Sequence, residues 1–143
     1  MPVFFRILYT SEMRVSELRL TRIKDISLAK DYITVHRAKN YKERIIPVHP
    51  LLISKCIQLK GRIPADSSEE KYFFIIRPGQ LMLLVNVYWN FRRSLEKAWI
   101  SHTGNEPRVH NFRHIYCVNL LRKWTDEGKD LIKKAVIHEH EFY

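Results

Sequence analysis

Apolar residues along the chain fall into runs with two different periods. Val3 to Tyr9 is almost continuously apolar and predicts a helix that opens directly into core-type residues, as though its start lay upstream. Thr10 and Ser11 interrupt it. Glu12 to Leu20 resumes helical spacing through Val15, Leu18 and Ile23, with Ser16 expected to cap a short helix. The β-branched run Tyr32 to Val35, the polar stretch Ala38 to Glu43 and a second run, Arg44 to Val48, predict a β-hairpin. Pro47 places its second strand at an edge, or ends it there.

Pro50 to Leu59 has helical spacing with proline in the first turn, and the polar segment Gly61 to Lys71 reads as a surface loop. Tyr72 to Ile76 is short and apolar, a strand or an extended stretch. Val85 to Ile100 predicts a helix rich in aromatic and basic residues, and here Tyr88, Trp89, Phe91 and Trp99 are expected in the core. After a loop from Ser101 to Arg108, Asn111 is expected to cap a helix running to Trp124. Gly128 is expected to end it, and Leu131 to Ile137 to add a further turn or two. The pattern is α+β, mainly helical with one small antiparallel sheet, and 143 residues suit one domain.

Charge narrows the function. Twenty-five Lys and Arg against fifteen Asp and Glu leave a net +10, a balance that points to a polyanionic partner, since each neutralised phosphate releases condensed counterions. The longest strongly apolar run, Leu81 to Val85, is too short to span a bilayer, and no cleavable leader opens the chain. A cytoplasmic protein with no membrane partner is the expectation. Cys56 and Cys117 lack metal-ligand spacing and read as buried free thiols, while His138 and His140 are two ligands without partners, short of a metal site.

Three local motifs point to one chemistry. Tyr9 to Leu18 reads YTSEMRVSEL, Ala38 to Pro47 reads AKNYKERIIP, and His110 to His114 reads HNFRH. In this order they resemble the boxes of the tyrosine recombinases of the phage-integrase type, most like integrases of bacterial phages and mobile elements. In those the histidine–arginine box leads into a helix with a tail like Trp124, Glu127 and Gly128 to Leu131. The resemblance implies the catalytic-domain fold of that family over residues 1–131, partial and without the helical core-binding domain that precedes it in the family. Residues 132–143 form a divergent or truncated tail. Glu12 stands where the family has glycine, so the turn there is expected to be strained or differently shaped.

The resemblance also implies roles. Arg14 and Arg113 would hold the non-bridging oxygens of a DNA phosphodiester, because a guanidinium stays charged and donates in a fork that fits phosphate. His110 would add a donor and take part in proton transfer, and Lys39 on the hairpin would protonate the 5′-oxygen leaving group. A tyrosine would attack to give a 3′-phosphotyrosine, so that strands rejoin without metal or cofactor. Lys42, Arg44, Arg92, Arg93 and His114 are the further DNA-binding candidates. Arg92 and Arg93 are equally readable as a solvated face, and His114 as a brace for the site. The partners implied are double-stranded DNA and other recombinase protomers.

The tail departs from the family. It has no Gly-His pair, and Tyr143, the candidate nucleophile, follows Arg113 by thirty residues, closer than the family pattern sets it. Two readings follow: a site-specific recombination or integration domain missing its nucleophile segment, or a catalytically dead DNA-binding remnant. An unrelated basic nucleic-acid-binding domain is the third.

Overall fold

The computed structural model describes residues 2–36, 43–77, 80–101, 104 and 107–127. Helix α1 (Pro2–Thr10) buries Phe4, Ile7 and Leu8. Two hydroxyls end it. Thr10 Oγ1 donates back to the Arg6 carbonyl at 2.8 Å, and Ser11 Oγ accepts from the Met13 amide at 3.3 Å, so both side chains compete with helical bonding. Helix α2 (Val15–Arg19) follows, and Leu18 is its buried residue.

Strands β1 (Ile26–Ser27), β2 (Tyr32–His36) and β3 (Glu43–Pro47) form an antiparallel sheet in the order β1-β2-β3, with Ile33 opposite Ile46 and Val35 opposite Arg44. Pro47 is the last residue of the edge strand β3, where its missing amide leaves no ladder bond unmade. Asp31 turns the chain into β2 with a left-handed backbone, φ 57°. Helix α3 (Pro50–Lys60) opens with proline at its first position and lays Leu52, Ile53 and Cys56 on the core.

The predicted strand at Tyr72 to Ile76 divides. Residues 69–73 run against 21–24 through backbone bonds such as Ile23 to Lys71 at 2.9 Å and Phe73 to Thr21 at 2.9 Å. The ladder proper is a two-stranded hairpin of β4 (Ile75–Arg77) and β5 (Gln80–Leu81). Helices α4 (Leu84–Lys97) and α5 (Asn111–Asp126) complete the domain, α5 packing on α1. One core joins Phe4, Ile7, Leu18, Ile33, Cys56 and Val87, all fully buried. The pKa of the buried Cys56 thiol is pushed up to about 11 by its apolar surroundings.

Three expectations are corrected. Ser16 lies within α2, and the cap position belongs to Arg14. Asn111 is the first helical residue of α5 rather than its cap, and its Oδ1 accepts from the Arg108 amide at 3.0 Å. Phe91 is in the core, but Tyr88, Trp89 and Trp99 are 48%, 72% and 96% exposed. Val87, Phe91 and Leu95 take the core face of α4, and Trp89 lies about 200° around the helix from Val87. Trp99 falls past the helix end, in a left-handed conformation with φ 58°. Among the described residues no helix is long and apolar enough to cross a membrane.

Candidate functional site

The turn between α1 and α2 sets the first arginine. Ser11, Glu12 and Met13 are all buried, which fixes this turn against the core and leaves Arg14 exposed at its end. Arg14 caps α2 in an extended conformation, and its amide donates to Glu17 Oε2 at 2.8 Å. Glu12 does not adopt a left-handed backbone: the non-glycine residues with positive φ among those described are Asp31 and Trp99. The glycine the family pattern carries is therefore not needed here for its backbone freedom.

Strand alternation sets Arg44. It lies two residues before the buried Ile46 and so faces inward, with its side chain only 14% exposed. A charge turned toward a core needs partners. Arg44 has two: its Nη1 and Nη2 donate to Glu17 at 3.1 and 2.8 Å, and its Nε lies 3.3 Å from Glu12 Oε1. The Glu17 contact is a true fork, the Glu12 contact a close ionic approach without hydrogen-bond alignment. Arg44, expected to touch DNA, is thus committed to two carboxylates.

The start of α5 sets His110 and Arg113. Val109 is buried, and Phe112 stacks with Phe5 at 5.9 Å and meets Phe91 edge-on at 5.5 Å and Tyr9 edge-on at 6.4 Å. These two anchors, three residues apart, hold one face of the first turn on α1 and α4. Arg113, which follows Phe112, comes within electrostatic reach of Arg14, whereas His110, which follows Val109, borders the cleft beside α4. His110 is exposed and Arg113 half-buried, and His114 is exposed beside them.

The two motif arginines meet electrostatically. The Arg113 guanidinium is held below its ordinary pKa, first by burial and then by the charge of Arg14, with Arg44 adding in the same direction and Glu17 and Glu12 opposing. Arg113 therefore shares one neighbourhood with Arg14, Arg44, Glu12 and Glu17. Glu17 is held below the ordinary carboxylate range: burial raises it, but the Arg44 hydrogen bond, the Arg14 amide and both positive charges outweigh burial. The sequence reading did not single out Glu12 or Glu17 as site residues. Their signal was the inward phase of Arg44, a buried cation that demands carboxylates.

His110 opens onto a cleft against α4, lined also by Tyr88, Phe91, Arg92 and Leu95. Arg92 thus shares a wall with His110, while Arg93 is exposed on the next position of the helix. Lys39, Lys42 and Tyr143 lie outside the described residues, as do His138 and His140.

Known proteins resemble this chain along most of its length. The phage integrase family matches over residues 2–140. The putative integrase/recombinase y4rB of Sinorhizobium fredii is 25% identical over 137 residues, covering 88% of this chain and 42% of that protein. Tyrosine recombinase XerA of Pyrococcus furiosus is 26% identical over 122 residues, covering 84% of the chain and 40% of the relative. The chain thus spans less than half the length of these curated relatives. Among solved structures, XerA recombinase superposes with a TM-score of 0.67 at 20% identity, covering 82% of this chain and 42% of that one. The Tn1549 transposon integrase, solved in complex with transposon right end DNA, gives 0.68 at 19% identity, covering 83% and 45%. These likenesses carry the fold. The match along nearly the whole chain carries the family: this chain belongs to the phage integrase family.

Proposed function

We propose that the chain binds double-stranded DNA through a phosphate site built by Arg14, Arg113 and His110, and that it serves site-specific recombination or integration by strand breakage and rejoining. The observation that carries this reading is the convergence of Arg14, at the start of α2, and Arg113, in α5, on one neighbourhood in which the charge of Arg14 helps to hold Arg113 below its ordinary pKa. Two guanidiniums placed to repel each other are stabilised when an anion comes between them, and a DNA phosphodiester is such an anion.

In this reading Arg14 and Arg113 hold the non-bridging oxygens and stabilise the charge that builds on them at the transition state. His110 donates a third hydrogen bond and takes part in the proton transfer of the attacking tyrosine. Lys39 protonates the 5′-oxygen as it leaves, and the 3′-phosphotyrosine link keeps the bond energy for rejoining. Arg92 and Arg93 extend the basic surface along α4, with Trp89 and Tyr88 exposed among them for contact with the duplex. Lys42 adds a contact from the hairpin and His114 one from α5. Arg44 acts from behind, fixing Glu17 and through it the Arg14 turn. Other recombinase protomers are the expected protein partners, and the cytoplasm is the expected compartment.

The test is duplex binding followed by anisotropy. Arg14→Ala and Arg113→Ala should each weaken binding at least tenfold, in line with loss of a charge-assisted phosphate contact worth about 1.5–3 kcal/mol. Unchanged affinity in both variants, with the fold intact by circular dichroism, overturns the assignment.

A further inference from the structure

We propose that Glu12 is a built-in counter-anion of the phosphate site, a positioning residue that holds Arg44 away from the ligand and limits how strongly Arg14 and Arg113 attract one. The inference rests on the phosphate-binding reading above and deepens it.

Glu17 alone balances the charge of Arg44, its two oxygens taking both Nη groups in a fork, while the buried Nε has no hydrogen-bond partner. A second carboxylate over the same guanidinium is more than one cation requires. Glu12 nonetheless lies 3.3 Å from Arg44 Nε, and its charge also reaches Arg113. Nor can it swing aside when an anion arrives: it is buried, between buried Ser11 and Met13, in a turn tied by the Ser11 hydroxyl.

The charge balance defines the consequence. Arg14, Arg44 and Arg113 contribute three positive charges and Glu12 and Glu17 two negative ones, leaving a cluster of net +1. Without the Glu12 charge the cluster stands at +2. In the empty site Glu12 relieves repulsion among the arginines; in the occupied site it repels the phosphate. It therefore trades affinity for a stable, preformed pocket, and it keeps Arg44 facing the protein instead of the DNA.

Charge-counting variants test this, with a short duplex of arbitrary sequence as probe, anisotropy at several salt concentrations, and near-ultraviolet circular dichroism for the fold. Glu12→Gln keeps the shape and removes the charge, and should bind the duplex several-fold tighter. Glu12→Asp keeps the charge and should bind as the parent does. Glu69→Gln makes the same change in total charge at an exposed loop residue and should change affinity much less than Glu12→Gln.

A folded Glu12→Gln chain that binds no tighter than the parent overturns the proposal. If Glu12→Gln fails to fold, Glu12→Ala, which removes the same charge with less bulk, decides by the same criterion. Arg113→Gln separates the two levels of the argument. If it leaves parental binding intact, the phosphate site itself fails and the proposal falls with it; if it weakens binding while Glu12→Gln has no effect, only the role of Glu12 is lost.

Discussion

Glu17 ties three things together: its carboxylate takes the Arg44 fork, caps the Arg14 amide and counters the charge felt by Arg113. Its folded pKa lies below the ordinary 4.5, so the unfolded chain binds its proton more readily than the folded one. The stabilisation is present above the unfolded value and is lost as pH falls through it toward the folded value. Thermal melts between about pH 6 and 3 should therefore show a steeper acid loss for the parent than for Glu17→Gln, which has no such proton to take up. Parallel curves contradict the assignment. Local motifs in the sequence single out Arg14, His110 and Arg113, and the fold brings the two arginines into one neighbourhood. Arg44 was read in the sequence as a DNA contact, although its strand phase, two residues from Ile46, already turned it inward. Its carboxylate partners were not legible, because Glu12 and Glu17 are distant in sequence and only the fold brings them to the Arg44 side chain.

At the scale of elements, hydrophobic spacing located helices α1 to α5 and the β2–β3 hairpin but missed the short 3-10 turn Ile23–Asp25 and the β4–β5 hairpin, and the helix ends were set by side-chain chemistry that spacing does not report. Thr10 and Ser11 stop α1 through their hydroxyls, and Asn111 bonds the Arg108 amide from inside α5. Helix α4 carries aromatics on two sides, and only its phase separates core from surface. Phe91→Ala should cost about 3–5 kcal/mol, as for a buried aromatic. Trp89→Ala should change stability by no more than about 0.5 kcal/mol, as for an exposed residue. Chemical denaturation of both variants distinguishes them, and equal losses mean that the helix sits in another phase. Phe112 belongs with α5 as a unit. Half-buried but in contact with Phe5, Tyr9 and Phe91, it anchors the turn that presents Arg113. Phe112→Ala should destabilise by about 2 kcal/mol, below the fully buried range, and weaken duplex binding as well. Binding at the parental level in that variant separates the anchor from the site.

For the whole molecule, if the chain binds DNA as proposed, its net +10 should make phosphate contacts the dominant source of affinity. Each neutralised phosphate steepens the fall of log affinity with log salt by about 0.9, so binding should be strongly salt-dependent and change little between unrelated duplex sequences. A flat salt response argues against a phosphate-led interface. Covalent chemistry asks for more than binding. In the proposed reading the arginines and His110 would lower the barrier only for an attack that a nucleophile makes in line with the phosphate. Tyr143 follows Arg113 by thirty residues, closer than the family pattern, while Tyr116 is half-buried one turn from Arg113 and Tyr88 borders the His110 cleft. The expected outcome for the 143-residue chain on a nicked suicide substrate is duplex binding with no covalent band on a denaturing gel. A band that disappears in Tyr143→Phe reverses this and makes Tyr143 the nucleophile. A band that survives that substitution moves the search to Tyr116 and then Tyr88, each tested by the same change to phenylalanine, which keeps the ring and its packing and removes only the hydroxyl that attacks.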